Sequence, residues 1–196
     1  MKRLVVGITG ASGVIYGIRL LEILKPLPEI ETHLVLSSAG AQTIALETDY
    51  KVEAVTALAG VNYRFNDIAA AISSGSFKTL GMVVMPCTMK TLAGIAHSYS
   101  DNLLLRAADV TLKDQRRLVI VPRETPLHLG HLRLMTQLVE LGAILVPPMP
   151  AFYHKPESIS DIVDQTVNRV LDLLNIDLPQ DLFQRWGGGR SAGQQV

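Results

Sequence analysis

The sequence predicts an α/β fold, a three-layer α/β/α doubly wound, Rossmann-like sandwich built on a mostly parallel sheet. Three observations predict it. Short apolar runs bounded by Gly, Pro or Ser recur along the chain, helical patterns separate them, and small or hydroxyl-bearing residues gather where the runs end. With 196 residues, 48% of them hydrophobic, the chain can bury a sizeable core.

The first run, Leu4–Thr9, reads as a buried strand and leads into a helix over about Val14–Leu24. Pro26 and Pro28 stop that helix, because proline lacks the N–H and its ring clashes with the preceding turn. His33–Ser37 and Ala39–Glu47 repeat the strand–helix pattern. Met82–Pro86 is a third strand, followed by helical patterns at Thr88–His97 and Leu103–Lys113. Leu118–Pro122, His128–Leu141 and Ala143–Pro147 add a strand, a helix and a strand. A last helix, about Ser158–Leu174, opens with Ser158 and Asp161 spaced as a capping box. The alternation is βαβ throughout, and residues 1–186 read as a single domain. Gly187-Gly188-Gly189 opens a flexible tail over 187–196, so function is expected to end by Trp186.

Charge and cysteine content exclude several classes. The 18 basic residues balance 18 acidic ones, leaving no long-range field to draw the chain onto nucleic acid or an anionic membrane. Any anion site must be built locally. Cys87 is the only cysteine, so no intramolecular disulfide forms. Met1-Lys2-Arg3 enters a short strand rather than a signal peptide, and no apolar run is long enough to cross a bilayer. The expectation is a cytoplasmic protein without membrane insertion.

In open parallel sheets ligands bind beyond the carboxyl ends of the strands. The first strand ends in Gly7-Ile8-Thr9-Gly10-Ala11-Ser12-Gly13, small residues that let backbone N–H groups approach a phosphate at a helix N-terminus. The spacing is neither the dinucleotide fingerprint nor a nucleoside-triphosphate loop, and a tight βα turn needing glycines for packing is the alternative. Ser37-Ser38 and Pro86-Cys87-Thr88-Met89-Lys90-Thr91 supply two more hydroxyl-bearing turns at the same edge. Each alone reads as a helix N-cap; together they suggest a phosphorylated cofactor. Pro122-Arg123-Glu124-Thr125-Pro126 sets a cation and a carboxylate side by side, and Pro147-Pro148-Met149-Pro150-Ala151-Phe152-Tyr153 presents aromatics on a stiff segment. Ile72-Ser73-Ser74-Gly75-Ser76 is either a loop or a second phosphate cradle. His128 and His131 lack a third ligand at metal spacing, and Cys87 has no nearby histidine to activate it.

Taken in order, Thr9-Gly10-Ala11-Ser12-Gly13 with Tyr16-Gly17, Ser73–Ser76, Arg106-Ala107-Ala108-Asp109-Val110, Pro122-Arg123-Glu124 and Pro150-Ala151-Phe152-Tyr153 resemble the UbiX/Pad-type flavin prenyltransferases. The match runs from Lys2 to Trp186. The resemblance implies a metal-independent enzyme of flavoprotein-like fold, a homo-dodecamer with sites at subunit interfaces. Its implied reaction joins a dimethylallyl group from dimethylallyl phosphate to N5 and C6 of reduced FMN, and its prenylated FMN goes to a UbiD-type decarboxylase. It places FMN on Gly10, Ala11, Ser12, Ser37, Thr88, Met89, Lys90, Thr91 and Arg123. It places the prenyl phosphate on Ser74, Gly75, Arg106, Lys113, Tyr153 and Arg169, together with Arg123 and Glu124 and partly from neighbouring subunits. Ser12, Glu47, Arg123 and Glu124 are its catalytic set. A carboxylate beside phosphate oxygens is driven toward its protonated form, which suits Glu124 to give the leaving group a proton; adjacent Arg123 pushes the other way.

The chain departs from the family pattern at Thr88, where serine is usual, and at Lys113-Asp114-Gln115-Arg116-Arg117, where Lys-Glu-Arg-Arg-Pro is usual. Two other readings compete. An FMN-dependent cysteine decarboxylase shares the fold, but Pro147-Pro148-Met149-Pro150 lacks the asparagine of the Pro-x-Met-Asn motif. A flavin carrier would need the flavin turns and leave the cationic residues without a task.

Overall fold

The computed structural model describes residues 1–187 and carries six strands: β1 Lys2–Ile8, β2 Ile30–Leu36, β3 Val61–Tyr63, β4 Gly81–Cys87, β5 Arg117–Pro122 and β6 Ile144–Leu145. The helices are α1 Val14–Leu24, α2 Ser38–Glu47, α3 Val52–Thr56, α4 Met89–Ala96, α5 Leu103–Lys113, α6 Leu129–Glu140 and α7 Ile159–Leu173, with a short 3-10 turn at Ala71–Ser73. The chain divides into two compact units, Met1–Pro148 and a second that starts at Met149. From residue 188 on, the expected tail lies outside the described residues.

In the first unit the strands pair in the order β3-β2-β1-β4-β5-β6, and every pair is parallel. Parallel strands need crossovers, and helices on the crossovers cover both faces of the sheet, which is why β4 is buried along its whole length. Neighbouring residues of β1 show the two faces directly. Gly7 packs toward Leu104 of α5, whereas Ile8 packs toward Gly17 of α1. The order reverses between β1 and β4, so the switch point that opens a crevice in such sheets lies where β1 and β4 end.

Two elements are absent from the sequence reading. β3 is a three-residue edge strand, Val61-Asn62-Tyr63, with no apolar run to announce it, and α3 is one short turn. The run at Ala143–Pro147 yields only Ile144–Leu145 as strand, since Pro147 and Pro148 have no N–H for a ladder. Strands also start earlier than their apolar cores, at Lys2, Ile30 and Gly81.

In the second unit, α7 begins with the capping box read from the sequence. Ser158 Oγ accepts from Asp161 N at 3.2 Å, and Asp161 Oδ2 accepts from Ser158 N at 2.9 Å. The segment after α7 returns to that helix: Asn168 Oδ1 accepts from Leu182 N at 2.8 Å, and Arg185 donates twice to Asp172, at 2.9 and 2.8 Å. The Arg185 guanidinium holds the carboxyls of Asp172 and Asp181 below the usual range.

Candidate functional site

The turn after β1 is shaped by close approaches. A side chain at Gly10 would put its Cβ 2.5 Å from the Cβ of Ala39, so only glycine lets this turn lie against the start of α2. Gly13 has φ 95°, the left-handed region that glycine enters without strain, and its N–H points at α2's last residue. There Glu47 Oε2 accepts from Gly13 N at 2.8 Å and from Val14 N at 3.4 Å, while the Ser12 hydroxyl donates to the same carboxylate. Burial pushes the Glu47 carboxyl up, but the hydrogen bonds from Ser12, Gly13 and Val14 and the charge of Arg123 outweigh it and hold it below the usual range. The α1 N-terminus, expected from the sequence to be open to a phosphate, is therefore bonded by a carboxylate of the chain itself. Arg123 also faces the half-buried Tyr16 phenol, whose pKa burial raises and Arg123 lowers, with the net shift upward.

Beside this cluster, at the switch point, lies a cavity of about 610 Å³. It is lined by Thr9, Gly10, Ser37, Ser38, Thr88 and Thr91, with Lys90 at the same turn. Ser37 caps α2, its Oγ accepting from Gly40 N at 2.9 Å, and Thr88 caps α4, its Oγ1 accepting from Thr91 N at 3.2 Å. The capping reading and the ligand reading are thus both satisfied, because a capped helix still turns its first-turn N–H groups toward the cavity. The lining also includes the apolar Phe65, Ala93, Tyr99 and Leu105, interspersed with Asn66, His97, Asp101 and Asn102. This size, with hydroxyl-bearing turns and aromatic and aliphatic side chains in one lining, fits a flat ring system carrying a phosphate, as FMN does. Met89 packs against the core, so what it offers a ligand is backbone N–H.

Arg123 joins the site through its backbone, Arg123 N donating to Cys87 O at 3.1 Å, which sets β5's end beside Thr88. Ser12, Glu47 and Arg123, three of the four expected catalytic residues, are brought together. Glu124 is exposed, and its carboxylate accepts from Thr125 N at 3.0 Å.

Of the expected substrate residues, this unit sets Gly75 beside Lys113, whose Nζ a Cβ at Gly75 would meet at 3.0 Å, and the Ser73–Ser74 turn beside Arg106. Arg106 Nε donates to Ser73 O at 3.1 Å, and Arg106 Nη1 pairs with Asp109 at 2.8 Å. Ser74 Oγ lies 2.8 Å from Ser76 Oγ, Gly75 O accepts from Arg116, and Lys113 Nζ reaches Asp114 at 3.3 Å. Lys113 ends α5 close before Arg117, which pairs with Gly81 at the start of β4 and β5. Gly75 and Lys113 therefore sit at the amino-terminal edge of the sheet, about 20 Å, a strand's length, from the cavity. Tyr153 and Arg169 belong to the second unit. Tyr153 lies edge-on to Phe183 and Trp186, and Arg169 donates to Asp172 at 3.0 Å.

Sequence reasoning missed the apolar part of the lining. Phe65 and Asn66 follow the unread strand β3, and Asn102 was legible only as the cap of α5, where its Oδ1 accepts from Leu105 N at 3.1 Å. His128 is a cap as well, its Nδ1 accepting from Gly130 N at 3.0 Å; among the described residues no group of three or more His, Cys, Asp or Glu gathers as a metal would need. Burial pushes the Cys87 thiol well up, which leaves little thiolate.

The family model described as Flavoprotein matches residues 1–171. The flavin prenyltransferase UbiX of Escherichia coli (strain K12) is 64% identical over 188 residues, 96% of this chain and 100% of its own. Among solved structures, AnUbiX (PadA1) in complex with FMN and dimethylallyl pyrophosphate is 49% identical with a TM-score of 0.91, covering 96% of this chain and 99% of its own. A dodecameric FMN-dependent UbiX-like decarboxylase from Escherichia coli O157:H7 is 52% identical with a TM-score of 0.92, covering 95% and 100%.

Proposed function

The chain belongs to the flavoprotein family, among its UbiX-type flavin prenyltransferases, and from that premise we propose that it joins the dimethylallyl group of dimethylallyl phosphate to N5 and C6 of reduced FMN. It is a transferase of prenyl groups that uses FMN. We further propose that its product, prenylated FMN, serves a UbiD-type decarboxylase, and that residues 1–186 work as one functional domain in the cytoplasm. No helix among the described residues is long and apolar enough to cross a membrane.

The observation that carries this reading is the Ser12–Glu47–Arg123 cluster beside the flavin-sized cavity. A flavin carrier could use Glu47 as a helix cap and Arg123 as an anchor, but it needs no base held ionised beside the flavin, which a transferase does. The residues present fit FMN: Gly10–Ser12, Ser37 and Thr88–Thr91 offer hydroxyl and N–H donors, and Phe65 and Leu105 apolar contacts. When bound and reduced, FMN supplies the nucleophile for the allylic carbon, whose C–O bond breaks as phosphate leaves with the electron pair. Arg123 stabilises the negative charge that develops on that phosphate. Glu47, held ionised, is suited to accept the proton released on carbon–nitrogen bond formation, and Ser12 orients its carboxylate. Glu124 stands next to Arg123 as a proton donor to the leaving group.

Ser74, Gly75, Arg106 and Lys113 enter the reading as a clamp supplied by a second copy of the chain. The position of Gly75 and Lys113 at the far edge of the sheet supports that assignment, as does the dodecameric state of the Escherichia coli O157:H7 relative. We assign Tyr153 and Arg169 to the prenyl phosphate as well.

The test is anaerobic incubation of the purified protein with reduced FMN and dimethylallyl phosphate, with the pyrophosphate as a second arm, followed by mass analysis of the extracted flavin. The expected product carries one five-carbon prenyl unit. Bound but unaltered FMN in both arms overturns the transferase reading and leaves the carrier.

A further inference from the structure

We propose that Thr9 is a positioning residue for the flavin site, which holds the Thr88 backbone N–H and through it the Thr88 hydroxyl, so that the Thr91 O–H is aimed into the cavity; this rests on the reading that the cavity takes FMN. Thr9 is 2% exposed and stands where β1 and β4 end. Its Oγ1 donates to Pro86 O at 2.8 Å and accepts from Thr88 N at 2.9 Å. One side chain thus ties the two strand-end turns together across the switch point.

The direction of these hydrogen bonds follows from counting protons. A threonine hydroxyl has one proton to give and two lone pairs with which to accept. Thr9 gives its proton to the Pro86 carbonyl. Thr88 has its N–H committed to Thr9 and gives its hydroxyl proton to Thr91 Oγ1 at 3.0 Å, while accepting from Thr91 N at 3.2 Å. The Thr91 hydroxyl, already accepting from Thr88, keeps its own proton, and Thr91 lines the cavity. It is presented as a donor, the polarity that an anionic phosphate or a ribityl oxygen requires. The Thr9 contact to the Thr88 N–H and the Thr88 hydroxyl's contact to Thr91 are joined through the Thr88 backbone, so the influence of Thr9 on Thr91 is positional.

Without the Thr9 oxygen, the Thr88 N–H loses its acceptor and the Thr88 cap loses its fixed geometry. The register between the two turns then rests on the backbone alone, where Thr9 N donates to Pro86 O at 3.2 Å.

The experiment measures FMN affinity of the full chain by quenching of flavin fluorescence, in the wild type, Thr9→Val, Thr9→Ser, Thr91→Val and the Thr9→Val/Thr91→Val double variant. Thr9→Val is nearly isosteric and is expected to weaken FMN binding about tenfold, the order of one hydrogen bond, while Thr9→Ser, which keeps the hydroxyl, stays within about twofold of wild type. In the Thr91→Val background the Thr9→Val penalty should shrink to about twofold or less, because position 91 no longer offers a donor. A merely structural role predicts equal penalties in both backgrounds. Equal penalties, or wild-type affinity in Thr9→Val, overturn the proposal. If Thr9→Val is not recovered folded, Thr9→Ala removes the same oxygen with a smaller side chain and must weaken FMN binding about tenfold; unchanged affinity there overturns it too. The readout is FMN binding alone, so a wild type that binds FMN without prenylating it removes the transferase reading and leaves this comparison standing, whereas a wild type that binds no FMN removes both.

Discussion

Glu47, the last residue of α2, closes the N-terminus of α1: its Oε2 accepts from Gly13 N at 2.8 Å, and Ser12 donates to the same carboxylate. An anion held there is favoured by the partial positive charge of the helix end and by Arg123. The bond links two helices through a turn that carries the flavin loop, so one carboxylate serves both a helix cap and the proposed proton transfer.

Those two tasks separate on substitution. Glu47→Gln keeps an acceptor oxygen for Gly13 N and loses the base; FMN affinity should hold within about threefold, with the melting temperature little changed, since the capping geometry survives. Prenyl transfer in a single turnover should slow by about a hundredfold, the usual weight of a general base. Glu47→Ala should lose the cap as well, costing about 1 kcal/mol of stability by thermal or denaturant unfolding. Transfer at the wild-type rate in Glu47→Gln would remove Glu47 from the chemistry.

The flavin side of the site was legible because its residues lie in short segments at strand ends, where the βαβ pattern puts ligands. Gly10, Ser37, Thr88 and Thr91 were each within a residue or two of a readable boundary. Phe65 was not, because β3 is three residues with one polar side chain outward, too short for alternation to register. The engagement of Glu47 with Gly13 spans 34 residues and leaves no local pattern; only the family resemblance pointed to it. Lys113 was legible as a location too, since a helix that ends just before the strand at Leu118 must end at the amino-terminal edge of a parallel sheet; what no local pattern carries is the copy of the chain that this edge would face.

The location of Lys113 leads to a complementation test. If a second copy supplies Lys113 to a site whose Arg123 belongs to the first, a Lys113→Ala chain and an Arg123→Ala chain each fail alone. Mixed assemblies of the two, formed by co-expression, contain some sites with both residues intact. Transfer activity should reappear in the mixture and not in the separate variants. Two inactive variants that stay inactive together would place both residues in sites built from one chain.

Glu124 is exposed and bonded to its own turn through Thr125 N at 3.0 Å, an arrangement that glutamine can keep. Glu124→Gln should therefore bind FMN as the wild type does and transfer the prenyl group about a hundredfold more slowly, as loss of a general acid implies. Single-turnover absorbance follows the flavin directly. Equal rates would leave Arg123 alone to discharge the leaving phosphate.

Acid stability offers a test away from the site. His33 is 3% exposed, with Nε2 2.9 Å from Glu31 Oε2 and Nδ1 3.0 Å from the Tyr63 hydroxyl, and Arg3 Nε donates to the same Glu31 oxygen at 3.2 Å. These contacts tie β1, β2 and the edge strand β3 together. The hydrogen bond from His33, opposed by burial and aided by Arg3, holds the Glu31 carboxyl below the usual range. A carboxyl with a depressed folded pKa stabilises the fold above its unfolded value, near 4.3, and that stabilisation is lost as pH falls through the folded pKa. Glu31→Gln should thus melt below the wild type at neutral pH, and the gap should narrow once the pH drops under about 4. A gap that is constant across this range would show that the network acts through packing, with the Phe77 ring against His33 and Arg3, and not through the Glu31 charge.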